Sequence, residues 1–248
     1  MHGVCKLCLE EKPLIKTSHI LPDFLFADLF DEKHKLRALE MKELLSKSPR
    51  ISKPSTGDYE GGILCNDCDN QIIGQYETYA SNVIKNNLSA NKKVAFENQN
   101  FAGTKSIQVR NLNYKKSKLF LTSLLWRASI TSLDRYKNIE LGPYGEPLRL
   151  ELINGILSES SIFQINIIEF EQVDEFTSFI GLPVKHKVDN TTYYSIIIKG
   201  YLIIYFLKEN RLSKTMADYK LTDRGELVIP QMPHEQVKGF IFGYAGVK

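Results

Sequence analysis

Apolar and polar positions fall into blocks along this chain, and most blocks predict one element. Residues 14–20 carry Leu14, Ile15 and Ile20 and read as a short strand that ends at His19 and Ile20, because Pro22 stops it. Asp23 is placed to cap a helix over 24–30, with Phe24, Leu25, Phe26, Leu29 and Phe30 as its apolar face. Residues 31–47 set Leu36, Leu39, Leu44 and Leu45 among charges and also read as helix. The Pro/Ser/Lys segment 48–57 reads as a loop, and 61–65 brings the chain back as a strand. From Asp67 or Asp69 to Ile84, the residues Ile72, Ile73, Tyr76, Tyr79, Ala80 and Val83 keep helical spacing, with Gly74 a tolerated cost inside it.

Residues 85–105 are polar and Asn-rich, and the domain boundary is expected there. Alternation over 106–113 predicts a strand. Residues 114–133 form the broadest apolar helical pattern in the chain and predict a central helix. A short helix is expected over 148–157, and strands over 161–170, 191–199 and 201–207. The last two are joined through Lys199-Gly200 and read as an antiparallel hairpin. Residues 226–229 and 240–243 are weaker strand candidates. The class is therefore α+β: an N-terminal module in 1–90, then an α+β domain in 105–248 with a central helix and antiparallel strands. That second domain would serve recognition, partner binding or oligomerisation.

Composition changes this picture little. Of 248 residues, 43% are hydrophobic and 25% charged, which is ordinary for a globular protein with a core. No apolar run approaches the roughly 20 residues of a membrane span. Net charge is only +3, yet residues 101–140 hold eight Lys or Arg against two Asp or Glu. That local excess either attracts phosphate or is a solvated helix face. Lys115, Lys116, Lys118 and Arg127 are its candidate nucleic-acid contacts. Trp126-Arg127 has the chemistry of a base-stacking and phosphate-clamping pair, although a Trp on an apolar helix is more often core.

The cysteines carry the strongest chemistry. All four lie in two C-x-x-C pairs, Cys5 with Cys8 and Cys65 with Cys68. Two such knuckles supply the four thiolates of a tetrahedral structural zinc. A disulfide within either pair would close a tiny loop and stabilise little. No apolar leader follows Met1, which predicts a cytoplasmic chain with reduced thiols. A redox C-x-x-C is expected near a βαβ pattern, and no strand is expected before Cys5. Zinc would join residue 5 to residue 68 and contribute on the order of 10–16 kcal/mol to folding of the module.

The order is knuckle, strand ending in His, long insertion, strand, knuckle, helix. Cys5-x2-Cys8, Ser18-His19-Ile20-x-Pro22 and Leu64-Cys65-x2-Cys68-Asp69, with Leu124-Leu125-Trp126-Arg127-Ala128-Ser129 and Leu141-Gly142-Pro143 further on, resemble a family of bacterial HNH-like (ββα-metal) endonucleases. The resemblance covers the N-terminal module and touches the middle of the chain. It implies a zinc-supported ββα-metal module that hydrolyses phosphodiester bonds in DNA, or RNA, in a bacterial defence effector. His19 would be the general base, since an ordinary histidine pKa of roughly 6.5 suits proton abstraction at neutral pH. A catalytic Mg2+ or Mn2+ would stabilise the leaving oxygen. The family draws its ligands from the residue before this His, an Asn or Asp near the second strand, and a His after the second knuckle. Here Ser18 precedes His19, Asp69 replaces the last His, and Asp58, Glu60 and Asn70 stand nearest the missing Asn. Asp69 keeps the hard oxygen chemistry of an Mg2+ ligand but also has the residue type of a helix N-cap. His19 has an alternative as a buried histidine bonded to backbone. Glu77 either faces the site or pairs with a Lys at the surface. The expected partners are nucleic acid, foremost DNA, and a companion protein or second copy, with no membrane. Ser18 and the absent Asn point toward the competing reading, a non-catalytic zinc module that binds nucleic acid or a partner protein.

Overall fold

The computed structural model describes residues 1–40, 43, 46, 48–85, 88, 93–157, 164–171, 179–188 and 191–244. The chain opens with β1 (His2–Val4) paired antiparallel to β2 (Glu11–Pro13), and the first knuckle lies between them. The expected strand 14–20 is interrupted. Leu14 bridges to Cys65, and only Ser18–His19 forms a strand, β3, which pairs antiparallel with β4 (Tyr59–Glu60). The second strand thus falls just before the predicted 61–65, where Gly61 to Ile63 bend instead.

The helix expected over 24–30 is a single tight turn, Asp23–Phe26, with Pro22 at its N-cap and no side-chain cap bond. Leu25 is buried, and Phe24 packs on Phe120 of the same core at 6.0 Å between ring centroids. The helix expected over 31–47 is absent from 31–40. There the Asp31 carboxylate accepts from the amides of Lys33 and Lys35, and Ala38 bridges to Ser52. Such a local side-chain bond offers the backbone an alternative to helix. Leu44 and Leu45 lie outside the described residues.

After the second knuckle, Asp67–Ile73 winds as a π-helix and continues as α1 (Gly74–Ile84). Gly74 stands where the two meet. Helix α2 (Tyr114–Ile130) begins at Asn113, whose side chain accepts from the Lys116 amide at 2.9 Å. Helix α3 (Gly145–Asn154) stops at Gly155, which takes the left-handed conformation that glycine permits.

A seven-stranded sheet makes up the rest. Its strands are β5 (Ala95–Phe101), β6 (Thr104–Arg110), β7 (Gln164–Phe170), β8 (Val184–Val188), β9 (Thr191–Ile198), β10 (Tyr201–Phe206) and β11 (Leu227–Met232). They lie in the order β5-β6-β11-β7-β10-β9-β8, antiparallel except where β11 runs parallel to β7. The predicted hairpin forms through Lys199 and Gly200, both at positive φ, as a two-residue primed turn requires. Two edge strands break the expected pattern. Ala95–Phe101 lies in the polar stretch expected to be a boundary, and Val184–Val188 had no prediction. In both, most positions stay outside the core, so hydrophobic alternation is weak. The candidate strand at 240–243 is instead part of α5 (His234–Tyr244), whose Val237 and Ile241, one turn apart, are buried. Two short helical segments, α4 (Arg211–Thr215) and a turn at Ala217–Tyr219, precede β11.

The class is therefore mixed α+β, with seven strands in the main sheet and five α-helices among the described residues. Helices α2 and α5 cover opposite faces of the sheet. Tyr194, Ile196, Ile203 and Tyr205 point to the α2 side, where Leu119, Leu124, Leu125 and Trp126 are buried. Ile197, Leu202, Ile204 and Phe206 point to Val237 and Ile241 of α5. The cluster under α2 also contains Cys5, Leu7, Cys65, Cys68, Ile73 and Tyr76, so one core crosses the expected boundary at 85–105. Among the described residues, no helix is long and apolar enough to cross a membrane.

Candidate metal centre and the strand end beside it

Each knuckle is a backbone turn that aims two sulfurs the same way. In the first, the Leu9 amide donates to the Cys5 carbonyl at 2.8 Å and the Cys5 amide to the Glu10 carbonyl at 3.0 Å. In the second, the Asp69 amide donates to the Cys65 carbonyl at 3.0 Å, at the start of the π-helical turn. The Lys6 amide bonds the Ile63 carbonyl at 2.9 Å, and the Cys65 amide donates to Cys5 Sγ at 3.3 Å, which sets the knuckles face to face. Lys6 Nζ donates to the last carbonyl of α2 at Ile130, and Arg149 of α3 donates to the Leu7 carbonyl, so both helices seat the first knuckle.

The four sulfurs of Cys5, Cys8, Cys65 and Cys68 lie within 4.8 Å of one another, and none is in a disulfide. A tetrahedral ion with bonds of about 2.3 Å to sulfur sets its ligands about 3.8 Å apart. The cluster is thus close enough to hold one metal ion, zinc among them. Its electrostatics are uneven. Burial alone would raise the Cys5 thiol, but hydrogen bonds from the backbone of Cys8, Cys65 and Leu7 outweigh it and bring it to about 7. Burial and the neighbouring sulfurs push Cys68 far up. Four thiols this close cannot all ionise without a cation among them.

Ser18 and His19 lie on β3, directly above the second knuckle. Ser18 is fully buried, and its Oγ donates to Asp69 Oδ1 at 2.6 Å. The residue before His19 and the residue after the second knuckle therefore converge. Asp69 sits within the π-helical turn, not at a capping position, and no side-chain cap bond is made there. His19 is half-buried, with its Nε2 at 3.0 Å from Thr56 Oγ1 and its ring edge-on to Tyr59. Thr56 in turn donates to Asp23 Oδ1 at 3.4 Å. The alternative of a histidine bonded to backbone through its ring is not what the geometry has.

The other candidates take different places. Asp58 holds Arg135 and Tyr136, and Glu60 holds the hydroxyls of Thr131 and Ser132, so neither carboxylate is aimed at Asp69. Asn70 donates to Asn66 at 2.8 Å and is exposed. Glu77 is not an exposed partner of a Lys. It accepts from Arg127 Nη2 at 2.6 Å, while Arg127 Nη1 donates to the His19 carbonyl at 2.8 Å. Arg127 is 2% exposed and Lys118 5%, which corrects their assignment as surface phosphate contacts. Lys118 lies against Tyr114 and near Glu151 instead. Trp126 is core. Lys115 is exposed and Lys116 half-buried.

A carboxylate and a hydroxyl suit a hard divalent ion that takes its other ligands from water and substrate phosphate. They do not form a cage alone. Among the described residues, the four cysteines are the only group of three or more His, Cys, Asp or Glu close enough to hold an ion. Sequence reasoning missed Thr56 and Asp23 as neighbours of His19. Their only trace was the turn-rich composition of Lys53-Pro54-Ser55-Thr56-Gly57, which marks a loop and not its destination. Comparison with family models, with curated proteins and with solved structures gives no match.

Proposed function

We propose that this protein is a metal-dependent endonuclease of HNH type, built on a structural Zn2+ held by Cys5, Cys8, Cys65 and Cys68. The observation that carries the reading is the convergence of Ser18 and Asp69 beside His19, on a strand pair followed by a knuckle and a helix. Hydrogen-bond direction gives His19 its role. A carboxylate only accepts; with the Thr56 hydroxyl donating to Asp23, that hydroxyl accepts from His19 Nε2–H in the neutral ring. Nδ1 is then the unprotonated nitrogen, able to take a proton from the attacking water. Asp69 would hold a Mg2+ or Mn2+ ion, which when bound offsets charge on the leaving oxygen. Arg127 sets the height of β3 through the His19 carbonyl.

The competing reading is a zinc module that binds nucleic acid or a partner protein without cleaving. The Ser18–Asp69 bond favours it, because it satisfies the carboxylate without an ion. Plasmid cleavage by purified, zinc-loaded protein with Mg2+, with Mn2+ or with neither added, beside folded, zinc-loaded His19→Ala, separates the two. Cleavage that needs the added ion and is lost in His19→Ala is the expected result. Absence of cleavage under every condition leaves the binding module.

A further inference from the structure

Along one side of α1 runs an open groove of about 840 Å³. One wall is a helical stripe that starts at Asn70 and continues through Gln71, Gln75 and Asn82. The other is the turn at Asn111 to Asn113 that leads into α2, with Lys116 one helical turn beyond. No lining residue is acidic, in a chain with 29 Asp and Glu.

The chemistry of this lining is specific. Each amide side chain offers a donor and an acceptor side by side, the pattern that matches the edge of a nucleobase. The side chains of Gln75 and Asn82 make no hydrogen bond with any described residue, so both amide groups are open to a ligand. The Tyr79 hydroxyl accepts from the Asn113 amide at 2.7 Å, which fixes the ring in the cavity wall as a surface for base stacking. Lys116 supplies a cation for phosphate. Unpaired bases expose their Watson–Crick edges and faces to such a wall, whereas in a duplex those edges are paired and the faces stacked.

We propose that this groove binds single-stranded nucleic acid, reading bases with Gln75 and Asn82 and holding phosphate with Lys116. Asn70, at one end of the stripe, is the chain neighbour of Asp69, so that end of the groove lies near that residue. The link to cleavage rests on the endonuclease reading; binding does not.

The test is fluorescence anisotropy without added Mg2+ or Mn2+ and without chelator, with zinc-loaded protein and a labelled 12-nucleotide mixed-sequence DNA, the same sequence as RNA, and the DNA duplex. The wild type is expected to bind one or both single strands at least tenfold tighter than the duplex. Gln75→Leu with Asn82→Leu is expected to weaken that binding about tenfold with an unchanged melting temperature. Lys116→Gln is expected to weaken all sequences alike and to lower the salt slope by about 1. Duplex bound as tightly as single strand, no binding by the wild type, or full binding by the double variant would overturn the proposal. Binding without added Mg2+ together with no cleavage in Mg2+ leaves the groove standing and removes the endonuclease.

Discussion

The proton order around His19 depends on one hydroxyl. In the proposed arrangement Thr56 accepts from Nε2–H while Asp23 takes the hydroxyl's own proton. Thr56→Val keeps the shape of the side chain and removes the acceptor, so the ring loses what fixes its tautomer. The expected outcome is a mixed tautomer in long-range 15N NMR and, on the endonuclease proposal, cleavage reduced about tenfold to a hundredfold, the scale at which small misplacements act. Global stability should fall by only about 1 kcal/mol, the worth of one hydrogen bond. An unchanged NMR pattern would remove Thr56 from the site. The contrast between Thr56 and the cysteines shows what single residues reveal in sequence. Four cysteines in two identical spacings announce a shared ion before any fold is known. A threonine in a polar loop announces nothing, because its partner lies 37 residues away and is set by the path of the loop.

Helix α2 links the sheet to the strand pair near its ends. Near its C-terminus Arg127 reaches the His19 carbonyl and Glu77, and just past it Thr131 and Ser132 hold Glu60 of β4. Arg127→Met should cost about 3 kcal/mol in urea unfolding, at the low end for a broken buried pair because Glu77 keeps 24% exposure. Glu77→Gln in the same chain should recover part of that loss, and strictly additive losses would show that the two do not couple. Glu60 gives a pH signature. Burial alone raises its carboxyl, but bonds from Ser132 and Thr131 outweigh this and hold it below the ordinary 4.5. A depressed folded pKa means stability present above that value and lost as pH falls through the folded one. Glu60→Gln should therefore flatten the acid limb of stability against pH, and an unaltered limb would contradict the assignment. Helix α2 and the hairpin of β9 and β10 were legible because long periodic runs leave one solution. The turn at Asp23–Phe26 and the edge strands were not. The turn is too short for periodicity to decide, and edge strands bury too little to leave a pattern.

The buried cluster that contains Cys5, Cys65 and Cys68 also contains residues of α2, α3 and the sheet. A polar stretch at 85–105 suggested two domains, yet β5 within it adds to the main sheet by pairing with β6. Polarity reports exposure, and an edge strand can be exposed without being a linker. The consequence is thermodynamic. If the knuckles and the sheet share one core, loss of the metal exposes apolar surface on α2 and weakens the whole chain, not only its first third. Zinc-loaded protein should melt in one cooperative transition by both far-UV dichroism and Trp126 fluorescence. Cys65→Ser, or chelation of the native protein, should remove the ion and lower that single transition, since metal-binding free energy in such modules is folding free energy. Two transitions, with the Trp126 signal unmoved by chelation, would instead restore the division into separate domains. Retention of a full complement of zinc by Cys65→Ser, with an unaltered melt, would remove the four-cysteine site itself.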